Sequence, residues 1–148
     1  MMKNGYANLA MQTAIGGLIM YLVMFVMIDN LGSFYNNLNT FYMTLMMVTP
    51  MVVLMVVAMP HMFPSRRANI ALVAGSLVIF AGCFALIRTQ ATIGDRAFLR
   101  SMIPHHSGAV LMCGKLHAKD PEIVALCANI IRSQRQEIEQ MKAILART

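Results

Sequence analysis

Three apolar runs, each free of charge and each long enough to cross a bilayer as a helix, constrain this chain more than any other feature. They lie near residues 11–28, 41–59 and 68–87. A helix rises about 1.5 Å per residue, so about 20 apolar residues cover the roughly 30 Å hydrocarbon core. A soluble domain of 148 residues has no interior large enough to hide three such runs. Composition agrees: 58% of the residues are hydrophobic and 12% charged, with a mean hydropathy of +0.62. Ordinary globular domains are about 45–50% apolar and about 25% charged. The chain has too little charge to coat a soluble sphere, and it is far too apolar to be disordered. An all-α fold is expected, with a membrane domain over residues 1–90 and a smaller helical domain over residues 91–148.

The first run is longer than the core of a signal peptide, which is about 7–15 residues. It is therefore expected to stay as a span, with Lys3 ahead of it. Pro50 lies near the middle of the second run and should kink it, because it removes one helical hydrogen bond. Ala71, Gly75 and Gly82 give the third run small residues against which another helix can pack closely. The segment 29–40 contains no Lys or Arg, whereas Arg66 and Arg67 lie between the second and third runs. Positive charge prefers the cytoplasm. The N-terminus and the second loop are thus expected inside, and everything after Ile87 outside, in the periplasm of a diderm bacterium. Arg88, Arg96 and Arg100 oppose this weakly.

The net charge of +6 is scattered along the chain. No basic run interleaves with aromatics, so nucleic acid is not an expected partner. The polar tail reads as two helices. Thr92 and Asp95 have the spacing of a capping box, which would start the first helix at Ile93 and carry it to His117, with Pro104 interrupting or kinking it. Asp120, Pro121 and Glu122 suit the cap, first position and first turn of a second helix reaching Ala146. Its apolar residues Ile123, Cys127, Ile130, Ile138, Met141 and Leu145 recur at helical spacing. A tight turn between the two predicts an antiparallel hairpin.

The tail concentrates soft and imidazole side chains. At about 100° per residue from Met102, Cys113 falls at about +20°, His106 at about +40° and His117 at about +60°. His105 falls at about −60° and Met112 at about −80°. All share one arc with Phe98, Leu99, Ala109 and Leu116, an arc expected to face the second helix. Folding the hairpin about Lys119 and Asp120 brings Cys113 level with Cys127 and His106 near Gln134. One cluster then holds Met102, His105, His106, Glu137 and Met141. A second holds Met112, Cys113 and Cys127, with His117 beyond.

Thioether, imidazole and thiolate together suit Cu(I) or Ag(I) far better than oxygen-seeking Mg or Ca. Zn would take the Cys and His members and ignore Met. Glu137 serves such a site as a ligand, or as the acceptor orienting an imidazole. The bland reading is that each methionine fills core space. Burying His105 and His106 without partners costs free energy, which weighs against that reading for the pair. Cys113 and Cys127 admit three roles: a disulfide, metal ligation, or inert packing. An oxidising compartment favours the first. Cys83, inside the third run, reads as packing. The chain holds 16 methionines. Met43, Met47, Met51, Met55 and Met59 form a ladder that invites a relay reading, as do Met20, Met24 and Met27. Met is also a common apolar filler, and that reading is favoured, since no ionisable group marks a transport path.

The stretch FLRSMIPHHSGAVLMC at residues 98–113, followed by DPEIVALCANIIRSQRQEIEQMKAIL at residues 120–145, resembles the family called domain of unknown function 305. The resemblance covers the last third of the chain. It implies a ferritin-like helical fold and an association with copper binding and copper tolerance in the bacterial envelope. It maps the family pattern onto Met102, His105, His106, Met112, Gln134, Glu137 and Met141. Cys113, His117 and Cys127 lie outside that pattern. The family fold is often built from two hairpins, and this chain supplies one, half of a ferritin-like bundle. Self-association through the tail would complete it.

The expected protein is a non-enzymatic, membrane-anchored copper or silver binder of the bacterial inner membrane, which sequesters or hands off the ion. Its partners would be the lipid bilayer, the metal ion and a second copy of itself. The rivals are a thiol or copper oxidoreductase using Cys113 and Cys127, and a structural membrane module without metal.

Overall fold

The computed structural model describes residues 5–148; Lys3, whose charge bears on orientation, lies outside the described residues. Among the described residues there are five α-helices and no strand: α1 Gly5–Val23, α2 Leu38–Ala58, α3 Arg66–Thr89, α4 Asp95–Lys115 and α5 Pro121–Arg147. Short 3-10 turns follow α1 and α2 at Leu31–Ser33 and Pro60–Met62. α1, α2 and α3 are each long and apolar enough to cross a membrane.

The chain divides into two compact units. α1 joins Asn39–Thr92 in one, and Met24–Leu38 joins Ile93–Thr148 in the other. In the apolar unit, Leu9, Val56 and Phe63 form a small buried cluster. Tyr6 ties it to the start of α3: its ring packs at 5.3 Å on Phe63 and its hydroxyl lies 2.9 Å from Asn69 Oδ1. Ser65 caps α3 by accepting from the backbone N–H of Ala68. α2 continues through Pro50, and the adjacent Thr49 hydroxyl donates to the Leu45 carbonyl at 3.0 Å. Pro50 removes the bond to the Met46 carbonyl, four residues back, so the Thr49 bond is ordinary threonine back-bonding and not a replacement for it. Most other apolar side chains here point outward. Met43, Met47, Met51 and Met59 are exposed, while Met55 packs in the core.

Two expectations about helix ends are corrected. The first apolar run predicts a helix over 11–28, but α1 stops at Val23. The next apolar residues are used elsewhere: Phe25 is buried, with its ring 4.5 Å from that of Phe34. Apolar residues following a helix need not extend it when tertiary packing competes. The capping box at Thr92 also does not form. α4 begins at Asp95 behind Gly94, with no side-chain cap, and Thr92 instead lies 2.9 Å from the Tyr42 hydroxyl. Asp95 still complements the helix dipole from the first turn. Pro104 sits inside α4 without ending it. The start of α5 follows its local signal: Asp120 accepts from the backbone N–H of Glu122 at 2.8 Å, and Pro121 takes the first position.

Candidate functional site

α4 and α5 pack through Leu99, Ile103, Val110, Ile138 and Met141, with Met102, Tyr35 and Ile131 against them. The buried face of α4 is Leu99, Ile103, Ser107, Gly108 and Val110. This differs from the arc expected from sequence. Phe98, Met112 and Leu116 are exposed, because a third layer takes the other flank. The segment Met24–Leu38 lies on α4. Its Asp29 backbone N–H donates to the wholly buried Ser107 Oγ at 2.7 Å. A Cβ on Gly108 would stand 3.6 Å from the Met27 carbonyl oxygen. The Ser-Gly pair in the middle of α4 is the signal that marks this close approach, since small residues are where another backbone can come near.

Inside this unit, His106 meets Glu137. Nδ1 of His106 lies 2.9 Å from Glu137 Oε2, with the His106 side chain 13% exposed and that of Glu137 45%. The pair has the distance of an ion pair, yet no hydrogen bond is formed at this buried nitrogen. A close contact without an aligned hydrogen bond is the better description of the pair. Gln134 Nε2 donates to the same carboxylate oxygen at 3.5 Å, the outer limit of such a bond. The helical arithmetic placed His106 near Gln134; the residue it reaches is Glu137, one turn further along α5.

The helix period brings thioethers to both partners. Met102 precedes His106 by four residues on α4, and Met141 follows Glu137 by four on α5. Residues four apart share a helix face, and Met102 and Met141 both pack in the α4–α5 core. His105 is exposed; its ring centre lies 5.9 Å from that of His106 at an interplanar angle of 60°. Met112 is 59% exposed. His117 is exposed beyond the end of α4. Neither belongs to the His106 face as it stands, since Met112 is about 9 Å further along the helix at 1.5 Å per residue.

Cys113 and Cys127 form a disulfide between α4 and α5, with Cα atoms 5.1 Å apart. Of the three roles open to the pair, this is the covalent one. In the bonded form the two sulfurs are not thiolate donors. Cys83 is free and buried in α3. Among the described residues no three His, Cys, Asp or Glu side chains gather as a metal-ligating group. A metal on the His106–Glu137 face would therefore draw on the Met102 and Met141 sulfurs, which only a soft ion accepts readily.

The family model described as Domain of unknown function (DUF305) matches residues 83–145. The chain is also similar to the "Uncharacterized protein L153" of Acanthamoeba polyphaga mimivirus, at 36% identity over 119 residues, covering 79% of this chain and 76% of that protein. This alignment is longer than the family match, so it takes in part of the apolar helices as well as the tail. No solved structure matches. With a relative this similar over most of both chains, and the family model on its α4–α5 region, the protein belongs to the Domain of unknown function (DUF305) family.

Proposed function

We propose that the protein is a membrane-anchored binder of Cu(I), and of Ag(I) by the same chemistry, that sequesters or hands off the ion in the cell envelope. The observation that carries this is the His106 nitrogen, buried without a hydrogen bond against a carboxylate and flanked on both helices by a methionine. The carboxylate lies against this nitrogen with no hydrogen bond between them, a geometry that a cation shared by the two would satisfy. Thioether, imidazole and carboxylate suit a soft monovalent ion as that cation. Met102, His106 and Met141 are the proposed ligands, with Glu137 as ligand or orienting partner. His105 and Met112, as exposed neighbours, are proposed as entry or transfer ligands, and His117 as a peripheral one. Cys113 and Cys127 join a ligand set only when reduced.

α4 and α5 are read as an antiparallel hairpin, half of a ferritin-like bundle. The pairings of Cys113 with Cys127 and His106 with Glu137 support this. A second copy is proposed to cover the apolar side chains left open near the α4–α5 connection, Met112, Leu116, Ile123, Val124 and Leu126. The N-terminus is placed in the cytoplasm and the hairpin outside it. The disulfide supports that side, because such bonds persist in oxidising compartments.

The test is a Cu(I) titration of the detergent-purified full-length protein against a competing chelator. Ascorbate keeps the copper reduced and leaves the disulfide intact. Replacing Met102 and Met141 by Leu and His106 by Ala together is expected to weaken binding at least tenfold. Equal affinity in wild type and triple variant would reject the site, and would leave His106 and Glu137 as a structural ion pair of a metal-free module. The disulfide favours one rival, a thiol oxidoreductase. Its reduction potential decides: a structural bridge is expected below about −300 mV, whereas catalytic pairs lie higher.

A further inference from the structure

The C-terminal unit contains a cavity of about 370 Å³, a volume within the range of small-ligand sites. It shares no residue with the proposed metal face. Its charged lining residues are two of each sign: Asp29, Glu139, Arg135 and Lys142. Arg135, Glu139 and Lys142 follow one another at spacings of four and three, so they stand on one face of α5. Asp29 comes from the other wall, where its backbone is fixed by the hydrogen bond to buried Ser107. Val110 and Ile138, both buried, complete an apolar floor.

Only one ion pair forms among these four charges. Lys142 and Glu139 touch at 3.2 Å, with the Glu139 side chain 74% exposed. Such surface pairs contribute little and rearrange easily. Asp29 and Arg135 have no ion-pair partner among the described residues. A simple anion would satisfy Arg135 and be repelled by Asp29; a simple cation would meet the reverse. A zwitterion meets both demands. Arg135 offers a planar fork of donors, and Lys142, two turns along, a mobile ammonium. Together they suit a phosphate better than a single carboxylate. Asp29 and Glu139 suit a primary ammonium.

We infer that this cavity binds a phosphoethanolamine group, with the phosphate oxygens on Arg135 and Lys142 and the ammonium on Asp29. A lipid headgroup and free phosphoethanolamine carry the same chemistry. The full-length protein tests this in two arms. In detergent, O-phosphoethanolamine is titrated by calorimetry, with inorganic phosphate as comparison. In nanodiscs of equal phosphatidylethanolamine and phosphatidylcholine, native mass spectrometry reads the lipid that stays bound.

Binding of the free compound alone identifies a soluble ligand, and selective retention of phosphatidylethanolamine identifies the headgroup. In whichever arm binds, Arg135→Gln and Asp29→Asn are each expected to weaken it at least tenfold. The half-buried Lys142→Gln is expected to weaken it about threefold, and serves if either of the others fails to fold. Binding in neither arm overturns the inference. So does variant binding equal to wild type, or inorganic phosphate binding as tightly as phosphoethanolamine. Unchanged Cu(I) affinity in Arg135→Gln separates the outcome from that of the metal site.

Discussion

His106 and Ser107 are neighbours with opposite fates, and the difference follows from one helical step. Ser107 is wholly buried and accepts the Asp29 backbone N–H; His106 turns about 100° away, toward Glu137. Replacing Ser107 with Ala removes the acceptor and adds no bulk at this wholly buried position. The Asp29 N–H is then left without its partner, at a cost of about 1–3 kcal/mol. A lower melting temperature by far-ultraviolet circular dichroism is the expected result, and an unchanged one would mean that water replaces the hydroxyl. On the proposed metal face, His106→Ala is expected to weaken Cu(I) binding by at least tenfold. His105→Ala, at an exposed ring, is expected to change it by less than threefold. Glu137→Gln keeps the size and removes the charge. It should weaken binding by about 10–100-fold if the carboxylate orients the imidazole. Chelator competition on the three variants checks the order. A larger loss for His105 than for His106 would move the site to the outer surface of α4.

At the scale of elements, the α4–α5 pair is held by an apolar seam, a disulfide and a cap, and each is separable. The disulfide joins residues 14 apart in sequence. Closing a loop of about 15 residues lowers the entropy of the unfolded chain by the equivalent of about 3 kcal/mol. Cys113→Ser with Cys127→Ser is therefore expected to lower the denaturation midpoint in urea while leaving Cu(I) affinity within about threefold. A large loss of affinity would instead tie these sulfurs to the site. The legible parts of the sequence were those fixed locally. Asp120, Pro121 and Glu122 start α5 where their chemistry dictates. The three apolar runs mark three helices because length and hydropathy suffice. What the residues could not disclose was decided at a distance. Phe25 leaves α1 to pack with Phe34, and Thr92 meets Tyr42 instead of capping α4. The segment Met24–Leu38 turns the buried face of α4 away from the predicted arc. Folding the hairpin about Lys119 and Asp120 puts His106 and Glu137 in one cluster, but sets His106 level with Gln134, one turn from the residue it touches.

For the whole molecule, the side of the membrane reached by the tail and the redox state of its cysteines are one question. Arg66 and Arg67 at the start of α3 favour a cytoplasmic position for that end. With α3 spanning, its other end and the tail then stand outside, although Arg88, Arg96 and Arg100 pull the opposite way. A disulfide between Cys113 and Cys127 persists outside and is reduced in the cytosol. Cys83 is buried in α3 and remains a thiol on either orientation. Thiol trapping in intact, acid-quenched cells therefore reads topology without a fusion partner. Each alkylated thiol adds one reagent mass after denaturation. One added mass before reduction and three after it are expected, with a monomer band on a non-reducing gel showing that the bond lies within one chain. Three added masses without reductant would place the tail in the cytosol. That result would remove the disulfide's support for the external hairpin and reverse the charge-based orientation. It would also return Cys113 and Cys127, as thiols, to the candidate ligands for soft metal.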